Sequence, residues 1–222
     1  MRGRFITFEG GEGAGKSTQS ALLAKRLRAL GIVVKETREP GGTAGGEIMR
    51  HVLLSGAAQP FGSNAEAILF GAARDDHLNL VIRPALESGH WVVCDRFVDS
   101  TRVYQGIAGR VAPPLIRALE RIIVGDAMPD LTFMLDVPAE VGLRRALQRR
   151  GHAGADRFEQ QTLDYHEMLR QGFRAVASIE TDRCVLIDST APTQDVADRI
   201  WNAVQQRLRP GQVVTEKEGA GQ

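Results

Sequence analysis

The chain has 222 residues, 43% of them hydrophobic and 25% charged, which is enough for one domain with a sizeable core. A formal net charge of +1 excludes a general polyanion binder or a membrane-surface protein, so any anion site must be a local cluster of cations. Cys94 and Cys184 lie in apolar stretches without metal-ligand spacing, no run approaches a membrane span, and Arg2 and Arg4 lead straight into the first strand; the expectation is a cytoplasmic protein with reduced thiols.

Taken in order, Phe5-Ile6-Thr7-Phe8 reads as a short buried strand. Gly10, Gly11, Glu12, Gly13, Ala14, Gly15, Lys16 and Ser17 then fit the pattern G-x-x-x-x-G-K-[ST]. Leu23, Ala24, Leu27 and Leu30 follow at helical spacing until Gly31. Strand, glycine loop and helix together make a phosphate cradle. Glycines turn backbone N–H groups inward at a helix N-terminus, Lys16 reaches the β- and γ-phosphates, and the Ser17 hydroxyl ligates Mg²⁺. Residues Gly10 to Thr18 are therefore assigned to ATP.

Ile32-Val33-Val34 predicts a second strand, and Thr37 to Thr43, with Pro40-Gly41-Gly42, predicts a loop. Ala44 to Ser55 has a helical pattern with Ile48, Val52 and Leu53 inward and Arg50 off that face. Asn64 to Ser88 reads as a long helix bent near Pro84. Phe70 and Arg74 share one of its faces, either as a core ring and a surface charge or as a stacking platform and a donor for a nucleobase. Trp91-Val92-Val93-Cys94 is a buried strand ending in Asp95-Arg96. That arrangement suits a carboxylate organising Mg²⁺ and a guanidinium gripping a phosphate.

A polar, aromatic segment runs from Asp99 to Gly106, and Pro113 begins a helix reaching roughly Val124. Leu131 to Val137 is a fourth strand. The helix after Pro138 carries Arg144, Arg145, Arg149 and Arg150, then meets glycines and Asp156-Arg157, the pattern of a lid over about residues 145–158. A helix over Gln160 to Glu180, a strand Cys184 to Asp188 and a helix Thr193 to Leu208 complete the domain, residues 1–209. The Gly-rich tail, residues 210–222, is expected to be disordered. Alternating strands and helices predict an α/β fold: three layers, α/β/α, around a five-stranded parallel sheet of the P-loop NTPase kind. Ligand groups should gather at the carboxyl ends of its strands.

The stretches FEGGEGAGKSTQ, TREPGGT, FGAAR, DRFVDSTRVYQG, PDLTFMLDV and RRGHAGADRFE resemble bacterial thymidylate kinases in sequence and order, from Arg4 to about Leu208. The resemblance implies transfer of the ATP γ-phosphoryl group to dTMP with Mg²⁺, giving dTDP and ADP on the route to dTTP, by a homodimer that binds neither nucleic acid nor membrane. It implies that Ser17 and Asp95 serve the metal, Asp95 through water. Arg96 would bind the dTMP phosphate, with Arg38 and Arg50 as helpers. Phe70 would stack on thymine, Arg74 would donate to its O4, and Ser100, Thr101 and Gln105 would line the acceptor site. Tyr104 would pack beside the sugar C2′, Glu12 would reach the 3′-hydroxyl, and Glu39–Pro40 would be a cis peptide. None of the variable loop residues is basic, so Arg149, Arg150 or Arg157 is expected to supply the catalytic charge when the lid closes. Arg102 stands where a neutral residue is expected, and its role is open.

Overall fold

The computed structural model describes residues 2–150 and 157–210, with Arg150 described by its backbone only. The central part of the predicted lid and the tail beyond Pro210 lie outside the described residues. Five parallel strands form one sheet: β1 (Phe5–Gly10), β2 (Val34–Arg38), β3 (Trp91–Asp95), β4 (Leu131–Asp136) and β5 (Cys184–Asp188), in the order β2-β3-β1-β4-β5. β1 lies centrally and is buried throughout, which suits a strand covered on both faces. On one face its Ile6 and Phe8 pack with Leu23 and Leu27 of α1 (Lys16–Ala29) and with Ile200 and Val204 of the last helix. On the other, Phe5 packs with Leu78, Ile82 and Phe97.

β2 starts two residues later than the apolar run predicts. It is an edge strand, and Val33 is left exposed while the Ile32 N–H turns back to the Leu27 carbonyl. The α2 helix (Ala44–Ser55) matches the predicted bounds and is capped by Thr43 Oγ1, which accepts from Gly46 N at 2.8 Å. Leu53 is buried as expected, but Ile48 is 66% exposed, so the inward assignment of Ile48 is corrected. The long helix is continuous but not uniform: α3 (Gly62–His77) passes through a π-helical turn, Leu78–Ile82, into α4 (Arg83–Glu87). Pro84 has no N–H to donate and its ring crowds the carbonyl four residues back; the widened turn directly before it accommodates both.

The segment expected only to be polar and aromatic is helical: α5 (Val98–Thr101) continues as a π-helical stretch, Arg102–Ala108. The helix α6 (Pro113–Leu119) likewise runs on through a π turn, Glu120–Val124. α7 (Ala139–Arg150), α8 (Leu163–Ile179) and α9 (Thr193–Leu208) complete the described elements. Arg102, open from sequence, is structural. It donates to both oxygens of Glu120 at 2.6 and 2.7 Å and also pairs with Asp99 and Glu180, while Arg183 grips Asp99 at 2.7 and 2.8 Å.

Candidate active site

The glycine loop leaves the end of β1 and turns at Gly10, Gly13 and Gly15, all with positive φ. Gly13 is needed for a second reason. A Cβ there would sit 1.9 Å from the Gly142 carbonyl oxygen, and a Cβ on Gly142 would sit 2.3 Å from the Glu12 carbonyl oxygen. Two facing glycines thus let α7 press against the loop and bring its arginines to it. Lys16, nearly buried, curls over the loop and donates to the Gly11 carbonyl at 2.7 Å and the Gly10 carbonyl at 3.2 Å. Burial first, then neighbouring Arg96, lowers its pKa to about 8. Ser17 Oγ donates to Asp95 Oδ2 at 2.5 Å, so a hydroxyl oxygen and a carboxylate oxygen stand side by side next to the loop.

Arg96 follows β3 with φ of 70°, a left-handed conformation that few non-glycine residues adopt. Its Nη1 donates to the Gly10 carbonyl at 3.1 Å and to Ser100 Oγ at 3.2 Å. Its Nη2 donates to Glu12 Oε1 at 2.5 Å and to Tyr104 Oη at 3.2 Å. Tyr104 in turn donates to Glu12 at 3.1 Å. Burial opposes charge on Glu12, but Arg96 and then Lys16 outweigh it and hold the carboxyl at about 2. Burial likewise opposes charge on Arg96, yet its anionic and phenolic neighbours raise its pKa and keep it cationic.

Arg74 is buried, donating through Nε to Glu39 Oε2 at 2.8 Å and through Nη2 to the Phe97 carbonyl at 3.0 Å. The other Glu39 oxygen meets His77 Nδ1 at 3.0 Å, and His77 Nε2 meets Thr37 Oγ1 at 2.6 Å. Glu39 is therefore a support for Arg74, with both its oxygens engaged by protein. The Glu39–Pro40 peptide is cis, as the resemblance implied. Arg38 pairs with Glu47 and Arg50 donates to the Pro40 carbonyl at 2.9 Å, placing both cations at the rim of the same cleft.

One cavity is lined by every residue predicted for the acceptor, Glu12 through Gln105, together with Lys16, Ser17 and Asp95. The Thr101 hydroxyl there is buried without a hydrogen-bond partner, a polar atom left for a ligand or a water. A second cavity lies on the other side of the loop, lined by Gly13, Gly15, Thr18 and the turn Ser189–Thr193, with Arg145. Arg149 lines both, alone among the described residues.

Arg157 lines neither cavity. It donates to Glu66 at 2.5 Å and to the Leu53 carbonyl at 3.0 Å, and its guanidinium lies 4.1 Å from the Phe158 ring centroid. In this arrangement a buried carboxylate on α3 holds it away from both cavities. Arg150's side chain lies outside the described residues.

Sequence reasoning missed Glu9, His77 and Phe158. Glu9 is a carboxylate inside an otherwise apolar strand, and His77 stands three residues after Arg74 on one helix face; both were signals of buried polar support. Phe158 lies 6.4 Å from Phe70 and 5.3 Å from Tyr104, ring centroid to centroid, and lines the acceptor cavity.

Comparison with known proteins bears on this geometry. The thymidylate kinase family model matches residues 8–200. The thymidylate kinase of Rhodopseudomonas palustris (strain BisB18) is 58% identical over 208 residues, covering 93% of this chain and 90% of that protein. That of Bradyrhizobium sp. (strain ORS 278) is 56% identical over 207 residues, covering 93% and 92%. A crystal structure of thymidylate kinase from Ehrlichia chaffeensis superposes with a TM-score of 0.75 at 33% identity, covering 92% of this chain and all of that one. With identity above one half across nearly its whole length, the chain belongs to the thymidylate kinase family.

Proposed function

We propose that this chain transfers the γ-phosphoryl group of ATP to dTMP, giving dTDP and ADP. The observation that carries the reading is the convergence of an aromatic and guanidinium pair, Phe70 and Arg74, on the same cleft as Lys16 and Arg96. A pyrimidine stacked on Phe70 would meet the Arg74 donor at O4, where thymine and uracil offer an acceptor and cytosine an amino group. Arg96, Arg38 and Arg50 would hold the acceptor's phosphate, and Tyr104 would close the space a ribose 2′-hydroxyl needs. ATP would lie in the second cavity, its phosphates passing along the backbone of Gly13 to Thr18 toward Lys16.

The reacting oxygen is already an anionic phosphate oxygen, so no strong general base is required; alignment and charge neutralisation do the chemistry. Among the described residues Arg149 is the best-placed source of the arginine charge, because it borders both cavities. Ser17 and Asp95 suit a magnesium ion, which takes few protein oxygens and fills its shell with water and phosphate; when bound it would neutralise the β- and γ-phosphates. The chain is read as a cytoplasmic homodimer, and exposed Ile48 on α2 and Ile68 on α3 support pairing through those helices. The test is a panel of nucleoside monophosphates with ATP and Mg²⁺, reading product identity. dTMP should be the preferred acceptor, and efficient turnover of a cytidine nucleotide or a ribonucleotide would overturn the assignment.

A further inference from the structure

Glu9 is fully buried and touches no part of the proposed reaction. It lies on β1 directly before the glycine loop and faces the start of α5. Three donors converge on it. Phe97 N at 2.7 Å and Ser100 N at 3.1 Å donate to Oε1, and Ser100 Oγ at 2.6 Å donates to Oε2. The helix that follows Arg96 has no capping side chain of its own, so a carboxylate from a distant strand satisfies its first N–H groups.

The consequence reaches the site. Burial, then neighbouring Asp99, pushes the Glu9 carboxyl up to about 7; above that pH it is ionised, and the one proton of Ser100 Oγ is spent on it. The hydroxyl lone pairs therefore face Arg96 Nη1, which donates to Ser100 Oγ at 3.2 Å. Guanidinium, hydroxyl and carboxylate form a chain of donors running in one direction. The same carboxylate pins the backbone immediately after Arg96, where the left-handed φ of 70° costs about 1 kcal/mol or more and needs surrounding structure to hold it.

We propose that Glu9 is the positioning residue of the acceptor site: by fixing the Arg96 turn and the orientation of the Ser100 hydroxyl, it presents Arg96 to the phosphate of the acceptor nucleotide. This rests on the reading of the cleft as the dTMP site. Glu9→Gln keeps the shape but turns the group facing Ser100 from acceptor to donor. The Ser100 proton must then point elsewhere, and the Ser100 oxygen accepts from the amide as well as from Arg96, which loosens its hold on the guanidinium.

The test is steady-state kinetics with each substrate varied in turn, beside a thermal melt. Wild-type turnover of dTMP comes first; its absence would overturn the reading of the cleft and the role of Glu9 with it. Given that turnover, Glu9→Gln should raise KM for dTMP by about tenfold or more, the scale of one charge-assisted hydrogen bond, with KM for ATP unchanged. A purely structural role would disturb the adjoining glycine loop and raise both KM values together. Glu9→Asp keeps the charge and shortens the reach, so it carries the same test should Glu9→Gln fail to fold. An unchanged KM for dTMP in a folded variant, or an equal rise in both, would overturn the proposal while leaving the dTMP reading intact.

Discussion

Replacing Glu12 by glutamine removes one charge from the Arg96–Glu12–Tyr104 cluster and keeps its shape. The folded protein holds this carboxyl at about 2 against an ordinary 4.5, which corresponds to about 3 kcal/mol in favour of the ionised form. Both partners of the ion pair are about 15% exposed, so solvent screening takes little from that figure. Glutamine retains an acceptor oxygen for Tyr104, and the loss at neutral pH should be about 2 kcal/mol. For a chain of this length, that lowers Tm by roughly 4–8 °C. A carboxyl whose pKa is depressed by folding stabilises fully above its unfolded value, and that stability is lost as pH falls toward the folded value. The difference between wild type and Glu12→Gln should therefore be constant from about pH 5 upward and shrink as pH drops toward about 3. Calorimetric melts of both proteins across that range are the assay. Equal Tm values at pH 7, or a difference that widens on acidification, would refute the pairing.

The remaining predictions concern catalysis and the loop. Arg149→Ala should leave Tm unchanged, because the side chain is 63% exposed, yet lower kcat at saturating ATP by about 10²-fold or more; a loss below about threefold would remove Arg149 from the mechanism. Burial sets Lys16 near 8 in the free protein, so it loses its charge as pH rises through that value, and KM for ATP should climb above about pH 8. A flat profile to about pH 9.5 would contradict this. Gly142→Ala drives a methyl into the Glu12 carbonyl and should raise KM for ATP while leaving KM for dTMP near wild type; wild-type kinetics would show that α7 yields freely.

The sheet was legible because each strand is an apolar run bounded by turn residues, and β3, β4 and β5 begin where the sequence predicts. The acceptor residues were legible through motifs that the fold gathers in one cleft. What escaped was governed by partners far away in the chain. No local pattern marks α5 as a helix, since the carboxylate satisfying its first N–H groups belongs to β1. The π turn near Pro84 needs the course of the whole helix to be seen. Arg157 looked like its arginine neighbours in the predicted lid, and only the position of buried Glu66 on α3 distinguishes it. The exposure of Ile48 depends on which face of α2 meets α3, and helical spacing alone did not resolve that.

Two nucleotide cavities meet end to end at Arg149, with Lys16 lining the acceptor side. The direct measurement is calorimetric titration with thymidine and adenosine joined by a polyphosphate chain, compared with dTMP and ATP singly. If both cavities are engaged at once, the joined ligand should bind about 10²-fold or more tightly than either alone, because the second contact becomes intramolecular. Affinity no greater than that of the better single nucleotide would contradict the shared phosphate path.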